Sequence, residues 1–269
     1  MSFLACSLRC AVLLTLGAPS AIAQRPAAQR FPLSNVEGLV PHNVRVESAV
    51  LAGKRGVRLT VSREARERVA HLSIDEQSRL ETFALLTGTD FGDGIIEAEV
   101  AGGPAPDAPA GARGFVGIAF RVQPDRTTYD AFYLRPTNGR AEDQERRNHA
   151  VQYISHPEWT WDRMRRETPS RYEAYVDLLP DTWTRVRIEV RGDTARLFVH
   201  GQQQPTLIVN DTKSGSRARG AIALWINPGT IAHFREVRIV PSRQPRTARL
   251  SGCVPACRRL SSAGVVARG

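Results

Sequence analysis

The chain has 269 residues, of which 42% are hydrophobic and 24% are charged, and its net charge is +10. This composition supports a core of ordinary size and excludes a disordered chain, a collagen-like fibre and a bundle of membrane helices. A basic excess of this size is typical of proteins that bind nucleic acid. Here, however, one base lies in residues 1–23 and six lie in 242–269, two segments without acids, so residues 24–241 hold 30 bases against 27 acids. We therefore expect no nucleic-acid partner.

The N-terminus has the pattern of a secretory signal peptide. Arg9 precedes the apolar run 11–16, and Ala-Ile-Ala at 21–23 forms a small-residue cleavage site. The run is too short to cross a bilayer core of about 30 Å. We predict that residues 1–23 are a signal peptide cleaved near Ala23, and that the mature chain is secreted or periplasmic and not inserted in a membrane. A buried N-terminal helix is the alternative.

Residues 24–43 are predicted to be a lead-in, and residues 44–241 a single all-β domain. From Val44 onward the chain carries short runs with period two, bounded by Gly, Pro, Asn or Asp, as is typical of half-buried strands in a sandwich. Helix-like composition is confined to Glu64–Val69 and Asp75–Leu80, without strand–helix–strand alternation. We predict a two-sheet antiparallel jelly-roll sandwich. Its twelve strands are expected to begin near residues 44, 56, 81, 94, 114, 130, 150, 184, 195, 206, 220 and 234.

Residues 242–269 are predicted to be a disordered basic tail, with a functional basic arm as the alternative. The tail holds Cys253 and Cys257, the cysteines that remain after cleavage removes Cys6 and Cys10. This pair lacks the C-x-x-C spacing of redox motifs and has no second pair for zinc. The domain is therefore predicted to contain neither a disulfide framework nor a zinc site.

The alternation within three strands predicts an open face of small and aromatic side chains. The side chains expected on it are Gly117, Ala119 and Arg121, then Tyr129, Ala131, Tyr133 and Arg135, then Ala221, Ala223 and Trp225, whereas Phe120 and Val122 are expected to point into the core. Aromatic rings over a small-residue floor suit the apolar face of a pyranose, and Arg, Asn and Gln hydrogen-bond its hydroxyl groups. The alternative is that these side chains only cover the sheet.

Two long polar insertions, 136–148 and 156–172, flank this face and are typical of binding loops. They carry Arg140, Arg146, Arg147, Arg163, Arg165 and Arg166, which points to a hydroxyl-rich or mildly acidic sugar. Trp159 and Trp161 are predicted either to stack on a ligand or to anchor the second insertion. The predicted carbohydrate-binding residues are Arg121, Tyr133, Arg135, Asn138, Gln152, Trp159, Trp161 and Trp225.

Five motifs resemble one protein family. They are F-x-D-G-x-I-E-x-E-V from residue 91, F-V-G-I-A-F-R from 115, Y-D-A-F-Y-L-R-P-T-N from 129, A-V-Q-Y-I-S-H-P-E-W-T-W from 150 and G-x-I-A-L-W-I from 220. In this order they are similar to the concanavalin A-like (laminin G-like) jelly rolls of a secreted bacterial family, the domain of unknown function 1080 or 3-keto-disaccharide hydrolase domain. The resemblance covers about residues 31–241. It implies a role on carbohydrate, either hydrolysis of a glycosidic bond or sugar binding.

Glu97 and Glu99 are the candidate catalytic carboxylates. Alternate residues of one strand share a face about 7 Å apart, and a retaining glycosidase places its two carboxyl groups about 5–5.5 Å apart. A solvated charged face is the alternative, since the E-x-D-x-x-E motif of jelly-roll glucanases is missing. His149 is the third catalytic candidate. A metal-assisted route would use His149, His156 or His233, but no pair has a metal-ligand spacing such as H-x-x-x-H.

We therefore expect a secreted protein that binds a disaccharide, an oligosaccharide or a glycan on the open face and hydrolyses a glycosidic bond. No cofactor is expected, and a structural or catalytic divalent metal stays open. Two other functions also stay open, namely a lectin-like module that binds carbohydrate without turnover and an extracellular sandwich that binds other proteins.

Overall fold

A computed structural model describes residues 27–242, apart from residues 78, 109 and 110. The predicted signal peptide, the predicted tail beyond residue 242 and its two cysteines lie outside the described residues. Within the described part, no helix is both long enough and apolar enough to cross a membrane.

The fold is a two-sheet antiparallel sandwich, as the alternation predicts. Sheet A contains β1 (Gln29–Phe31), β3 (Val44–Leu51), β4 (Lys54–Val61), β6 (Gly94–Pro104), β11 (Thr184–Arg191), β12 (Thr194–Val199), β13 (Leu207–Val209) and β15 (Thr230–Pro241). Sheet B contains β2 (Leu39–His42), β5 (Phe83–Leu86), β7 (Val116–Val122), β8 (Tyr129–Leu134), β9 (Val151–His156), β10 (Glu173–Ala174) and β14 (Ala221–Ile226).

Each of the twelve predicted strands corresponds to one of these elements. In sheet A the strands follow the order β13-β12-β11-β6-β15-β4-β3, with β1 beside β15, and in sheet B the order β10-β9-β8-β7-β14-β5-β2. The strands β1 and β2 come from the predicted lead-in, and each pairs with one of the two sheets. They were not expected, because runs of three and four residues are too short to show alternation.

Four short helices lie in the connections between strands: α1 (Arg63–Val69), α2 (Ile74–Gln77), α3 (Gln144–Asn148) and α4 (Trp161–Glu167). The first two match the segments of helix-like composition, and the other two lie in the polar insertions. Helix α4 carries one buried side chain, Met164, which belongs to the hydrophobic core between the sheets. This contact fixes the helix beside β9, so that its first residue, Trp161, lies at the outer face of sheet B.

A β-bulge in β7 reverses the alternation of that strand. Ala119 pairs with Ala223 and Val122 pairs with Ala221, so β7 advances by three residues while β14 advances by two. Arg121, inside the bulge, has a φ of 57°. Val122 therefore packs on the outer face of sheet B, and Arg121 turns away from it. The predictions that Val122 points into the core and that Arg121 lies on the open face are both wrong for this reason.

Candidate functional site

The outer face of sheet B has the predicted floor of small residues bordered by aromatic rings. Gly117 pairs with Tyr133 on one side and with Trp225 on the other. A Cβ atom at Gly117 would lie 2.2 Å from the carbonyl oxygen of Phe132, so glycine is required there. The rings of Tyr133 and Trp225 meet above it with centroids 5.0 Å apart. Both rings are buried, so this face is a packed aromatic layer beneath loops and not an open platform.

Two adjoining cavities lie on this face, and we call them together the groove. The first has a volume of about 220 Å³ and is bordered by Tyr129, Tyr133 and Trp225. The second has a volume of about 510 Å³. Both are lined by Phe115, Trp161 and Asn227, so the cavities are neighbours along the sheet. Their combined size suits a ligand larger than one sugar ring.

A carboxylate and a histidine meet in the first cavity. Glu81 lies just before β5, and its Oε1 is 2.8 Å from Nδ1 of His156, the last residue of β9. The other carboxylate oxygen of Glu81 accepts a hydrogen bond from the hydroxyl group of Tyr129. That hydroxyl group in turn accepts one from Nε1 of Trp225 at 3.1 Å. An ionised carboxylate only accepts hydrogen bonds, so a neutral His156 ring paired with Glu81 carries its proton on Nδ1, and its Nε2 is the nitrogen that can accept a proton.

The local structure holds this pair in place from two sides. Tyr129 and His156 are partners in the β8–β9 register, and their rings stack with centroids 5.0 Å apart. On the other side, the amide of Asn43 donates a hydrogen bond of 2.8 Å to the backbone carbonyl of Glu81. Burial and the nearby charge of Glu81 raise the pKa of Tyr129 well above its usual value, so its hydroxyl group stays protonated. Tyr129 is thus a fixed donor that orients Glu81.

The second cavity is built around the guanidinium group of Arg135. This group is buried and donates hydrogen bonds to Glu173 at 2.8 Å, to the hydroxyl group of Tyr133 at 2.8 Å and to Oε1 of Gln152. Glu173 also accepts a hydrogen bond of 2.5 Å from Arg165 of α4. Burial alone would raise the pKa of Glu173, but the hydrogen bonds and charges of the two arginines outweigh it and lower that pKa. Glu173 is therefore an ionised brace between sheet B and α4.

His149 lies at the edge of this arrangement. Its Nε2 is 3.5 Å from Glu173, and its backbone carbonyl accepts hydrogen bonds from Arg135 at 3.0 Å and from the amide of Asn138 at 3.1 Å. Burial lowers the pKa of His149, and together with the charges of Arg165 and Arg135 it outweighs the opposing charge of Glu173, so the ring is neutral at pH 7. His149 thus lines the second cavity as an uncharged hydrogen-bonding group.

The structure brings most of the predicted binding residues together. Those that line the groove or brace its walls are Tyr133, Arg135, Asn138, Gln152, Trp161 and Trp225, and the catalytic candidate His149 lies beside them. Trp159 has a different position, because it packs against the core and lies under Arg163, whose guanidinium carbon is 3.9 Å from the ring centroid. Of the two tryptophans, Trp161 lines the groove and Trp159 anchors the insertion.

Three of the predicted residues lie elsewhere. Glu97 and Glu99 are on the outer surface of sheet A, on the opposite side of the sandwich from the groove, because their neighbours in β6 alternate into the core. Their carboxylates pair with basic side chains, Glu97 with Arg238 at 2.8 Å and Glu99 with Arg235 at 3.6 Å. The structure therefore favours the solvated charged face over the catalytic pair. Arg121 is fully buried near the end of the sandwich and makes its contacts there.

Sequence reasoning missed Glu81 and Glu173 as parts of the site. Glu81 and His156 are 75 residues apart, and only the lateral order of the strands brings them together. The sequence offers His156 as a metal ligand or as a loop histidine for acid–base chemistry, without indicating its carboxylate partner. Among the described residues, no group of three or more His, Cys, Asp or Glu side chains is placed to hold a metal ion. The arginines of the insertions were the one usable signal, because Arg146 and Arg165 line the second cavity.

A family model matches most of the described sandwich. The sequence model of the family described as the 3-keto-alpha-glucoside-1,2-lyase-like domain matches residues 53–240. This segment contains every groove residue named above. No curated protein sequence matches the chain.

Several solved structures are similar in fold. The carbohydrate-binding module CBM66 of Bacillus subtilis is 12% identical, with 75% of this chain and 95% of that chain covered and a TM-score of 0.48. A Bacillus subtilis protein of unknown function with a galectin-like fold is 14% identical, with 81% and 99% covered and a TM-score of 0.48. The β-glucanase of Bacillus licheniformis is 14% identical, with 82% and 100% covered and a TM-score of 0.42. From the family match, which spans most of the sandwich, the chain belongs to the carbohydrate-active family of 3-keto-alpha-glucoside-1,2-lyase-like domains.

Proposed function

We propose that this protein cleaves the glycosidic bond of a 3-keto-α-glucoside by elimination, with His156 as the base. The observation that carries the proposal is the pairing of His156 with Glu81 in a cavity walled by aromatic rings. The family description supports the reaction class, because a 1,2-lyase forms a double bond between C1 and C2. This replaces the expected hydrolysis with a reaction for which the groove has a suitable base.

The chemistry follows from the ketone at C3, which makes the neighbouring C2–H bond acidic. Nε2 of His156 takes the C2 hydrogen as a proton, and the electron pair of that bond moves into the enolate formed with C3. When the enolate collapses to restore the ketone at C3, its electron pair forms the C1–C2 double bond and the C1–O bond breaks. The departing oxygen takes a proton from solvent water and leaves as an alcohol, and His156 releases the C2 proton to solvent, which restores the base. Glu81 stabilises the imidazolium that forms, as a carboxylate does in a catalytic triad.

Other groove residues have positioning roles in this proposal. Trp161 and Phe115 stand between the two cavities and offer apolar surfaces to sugar rings. Arg79 lines the first cavity and supplies positive charge for the enolate oxygen. The base and the cation for the enolate both line the first cavity, and solvent supplies the proton for the leaving group.

Hydrolysis by two carboxylates is less well supported by the same groove. Such a mechanism needs one carboxylic acid that stays protonated near neutral pH. Glu173 has a lowered pKa because its arginine partners outweigh its burial, and a hydrogen bond from Thr160 lowers the pKa of Asp162. Glu81 is already bound by Tyr129 and His156. None of these carboxylates is placed to act as the acid.

The test is to incubate the purified protein with a 3-keto-α-glucoside and with the same glucoside unoxidised at C3. Elimination gives an unsaturated ketone with an ultraviolet absorption band, from the 3-keto substrate alone. Formation of 3-ketoglucose without that band would refute elimination in favour of hydrolysis. Binding of the sugar without any product would refute catalysis in favour of a lectin-like module, which the aromatic walls of the groove also suit.

Variants identify the base. His156→Gln should lower kcat by about 10²- to 10⁴-fold, the usual contribution of a general base. His71→Gln is the matched control, because His71 is exposed and does not line the groove. Glu81→Gln should also lower kcat, whereas Glu99→Gln, on the outer surface of sheet A, should not change it. Equal activity of His156→Gln and the wild type would exclude His156 as the base.

We also propose that the protein acts outside the cytoplasm, on the basis of the signal-peptide pattern of residues 1–23. N-terminal sequencing of the protein recovered from its native host tests this. A mature N-terminus near residue 24 is the expected result, and an intact N-terminus would refute it.

A further inference from the structure

The second cavity of the groove has a strongly positive lining. Four arginines line it, namely Arg113, Arg135, Arg146 and Arg165, and no acidic residue is among the described residues that do so. Behind the wall, Glu173 pairs with Arg135 and with Arg165. One carboxylate thus serves two arginines, and the positive charge of the cavity exceeds its negative charge.

Arg113 and Arg146 are the arginines without a counter-ion. Neither forms an ion pair with any side chain that the structure describes, and Nε of Arg146 is buried without a hydrogen-bond partner. Burial lowers the pKa of Arg113, and the charges of Arg146 and Arg135 lower it further. Like charges held together beside a cavity are unfavourable unless a ligand neutralises them. A bound anion would remove this repulsion.

The wall of this cavity also holds a side-chain amide whose oxygen has no hydrogen-bond partner. Asn138 is 4% exposed, its amide nitrogen donates to the carbonyl of His149, and its Oδ1 is buried without a hydrogen-bond partner. A fully ionised anion such as sulfate has no donor to offer this oxygen, whereas a sugar hydroxyl group has one. A volume of about 510 Å³ accommodates a sugar ring. Cations and a free acceptor together therefore fit a sugar that carries an acidic group.

We propose that the second cavity is a subsite for an anionic leaving group, a sugar that bears a carboxylate, a sulfate or a phosphate. This inference rests on the proposed function, in which the 3-keto glucosyl unit occupies the first cavity. The leaving group then passes between Phe115 and Trp161, which both cavities share. The planar guanidinium groups of Arg113 and Arg146 bind its acidic group.

The kinetic test compares substrates with one 3-keto-α-glucosyl unit and different leaving groups: glucuronate, sulfated glucose, phosphorylated glucose and glucose. We expect kcat/KM to be at least about tenfold higher for one of the anionic substrates than for the neutral one, with a difference that shrinks as salt is added. The anionic substrate that is preferred identifies the acidic group. Equal or better cleavage of the neutral substrate than of all three anionic ones would overturn the proposal, while elimination itself would stand.

Variants separate recognition from a structural role. Arg113→Gln and Arg146→Gln should lower the ratio of kcat/KM for the anionic substrate to that for the neutral one by about tenfold. A structural role would lower both values together and leave the ratio unchanged, which would overturn the proposal. Arg185→Gln is the matched control, because Arg185 is exposed on sheet A and should leave the ratio at its wild-type value.

A binding measurement tests the subsite if no substrate is cleaved. Calorimetric titration with glucuronate, glucose 6-sulfate, glucose 6-phosphate and glucose needs no catalysis. Tighter binding of an anionic sugar than of glucose, lost in Arg113→Gln, would support the subsite even where elimination has failed. Absence of any preference for the charged sugars would overturn the subsite.

Discussion

Replacement of Arg121 by methionine should destabilise the fold severely, although no cavity of the groove is near it. The guanidinium group has no exposed surface and donates hydrogen bonds to the carbonyl of Gly192 at 2.7 Å and to the hydroxyl group of Ser214 at 3.1 Å. It also lies 3.5 Å from the carboxylate of Asp130, which is equally buried. Removing one partner of a buried ion pair costs about 3–5 kcal/mol, because the other charge is left uncompensated.

This cost can be measured as the free energy of unfolding in urea. For a domain of this size, about 3–5 kcal/mol corresponds to a fall in Tm of roughly 6–20 °C. The double variant Arg121→Met with Asp130→Asn should recover at least about 1 kcal/mol relative to Arg121→Met, since it removes the uncompensated charge. Arg196→Met, on the exposed side of β12, should change stability by less than about 0.5 kcal/mol. A loss below about 1 kcal/mol for Arg121→Met, or a further loss on removing the Asp130 charge, would refute the reasoning.

Three other predictions concern the groove and its support. Gly117→Ala should lower stability by about 1–3 kcal/mol and weaken sugar binding, because its Cβ atom would lie 2.2 Å from the backbone of β8. Gly111→Ala is the control, since its Cβ atom has free space. Urea unfolding and sugar titration of both variants check this prediction. Trp159→Ala should lower Tm and leave the sugar affinity of the folded protein nearly unchanged. Trp161→Ala should lower the sugar affinity and leave Tm nearly unchanged, since only Trp161 lines the groove. Burial and nearby Arg58 lower the pKa of His233 below 6.5. Its contribution to stability is therefore present above pH 6.5 and is lost as the pH falls below that value. Between pH 7.5 and 5.5, the free energy of unfolding of His233→Gln should change less than that of the wild type.

The strands were predictable from the sequence because one face of each is buried, and burial imposes period two on the side chains. This argument holds only while the register is regular. At the bulge in β7, two residues oppose Ile222, and from there on the expected face of each side chain is reversed. Nothing in the run from Val116 to Val122 marks this position, because arginine at a positive φ carries no turn signature such as Asn-Gly. The error on Arg121 therefore has a local cause and leaves the rest of the sheet unaffected.

The site was less predictable than the fold, because it depends on which strands are neighbours. Tyr133 and Trp225 were expected on one face from the alternation alone, and the structure brings them there. The carboxylates could not be assigned in the same way. Glu97 and Glu99 look alike and regular in the sequence, but they face solvent on the far sheet, whereas Glu81 carries no motif and reaches His156 only across the assembled face.

The arginines show how folding gives different roles to one residue type. Arg121 forms an ion pair with the buried carboxylate of Asp130, and Arg135 forms one with that of Glu173. Both positive charges are therefore compensated within the fold. Arg113 meets no described carboxylate and stands beside a cavity. The net charge of the chain cannot distinguish these cases, because it counts each arginine equally. What matters for recognition is the positive charge that remains unpaired after folding, and in the described part of this groove that charge lines the second cavity.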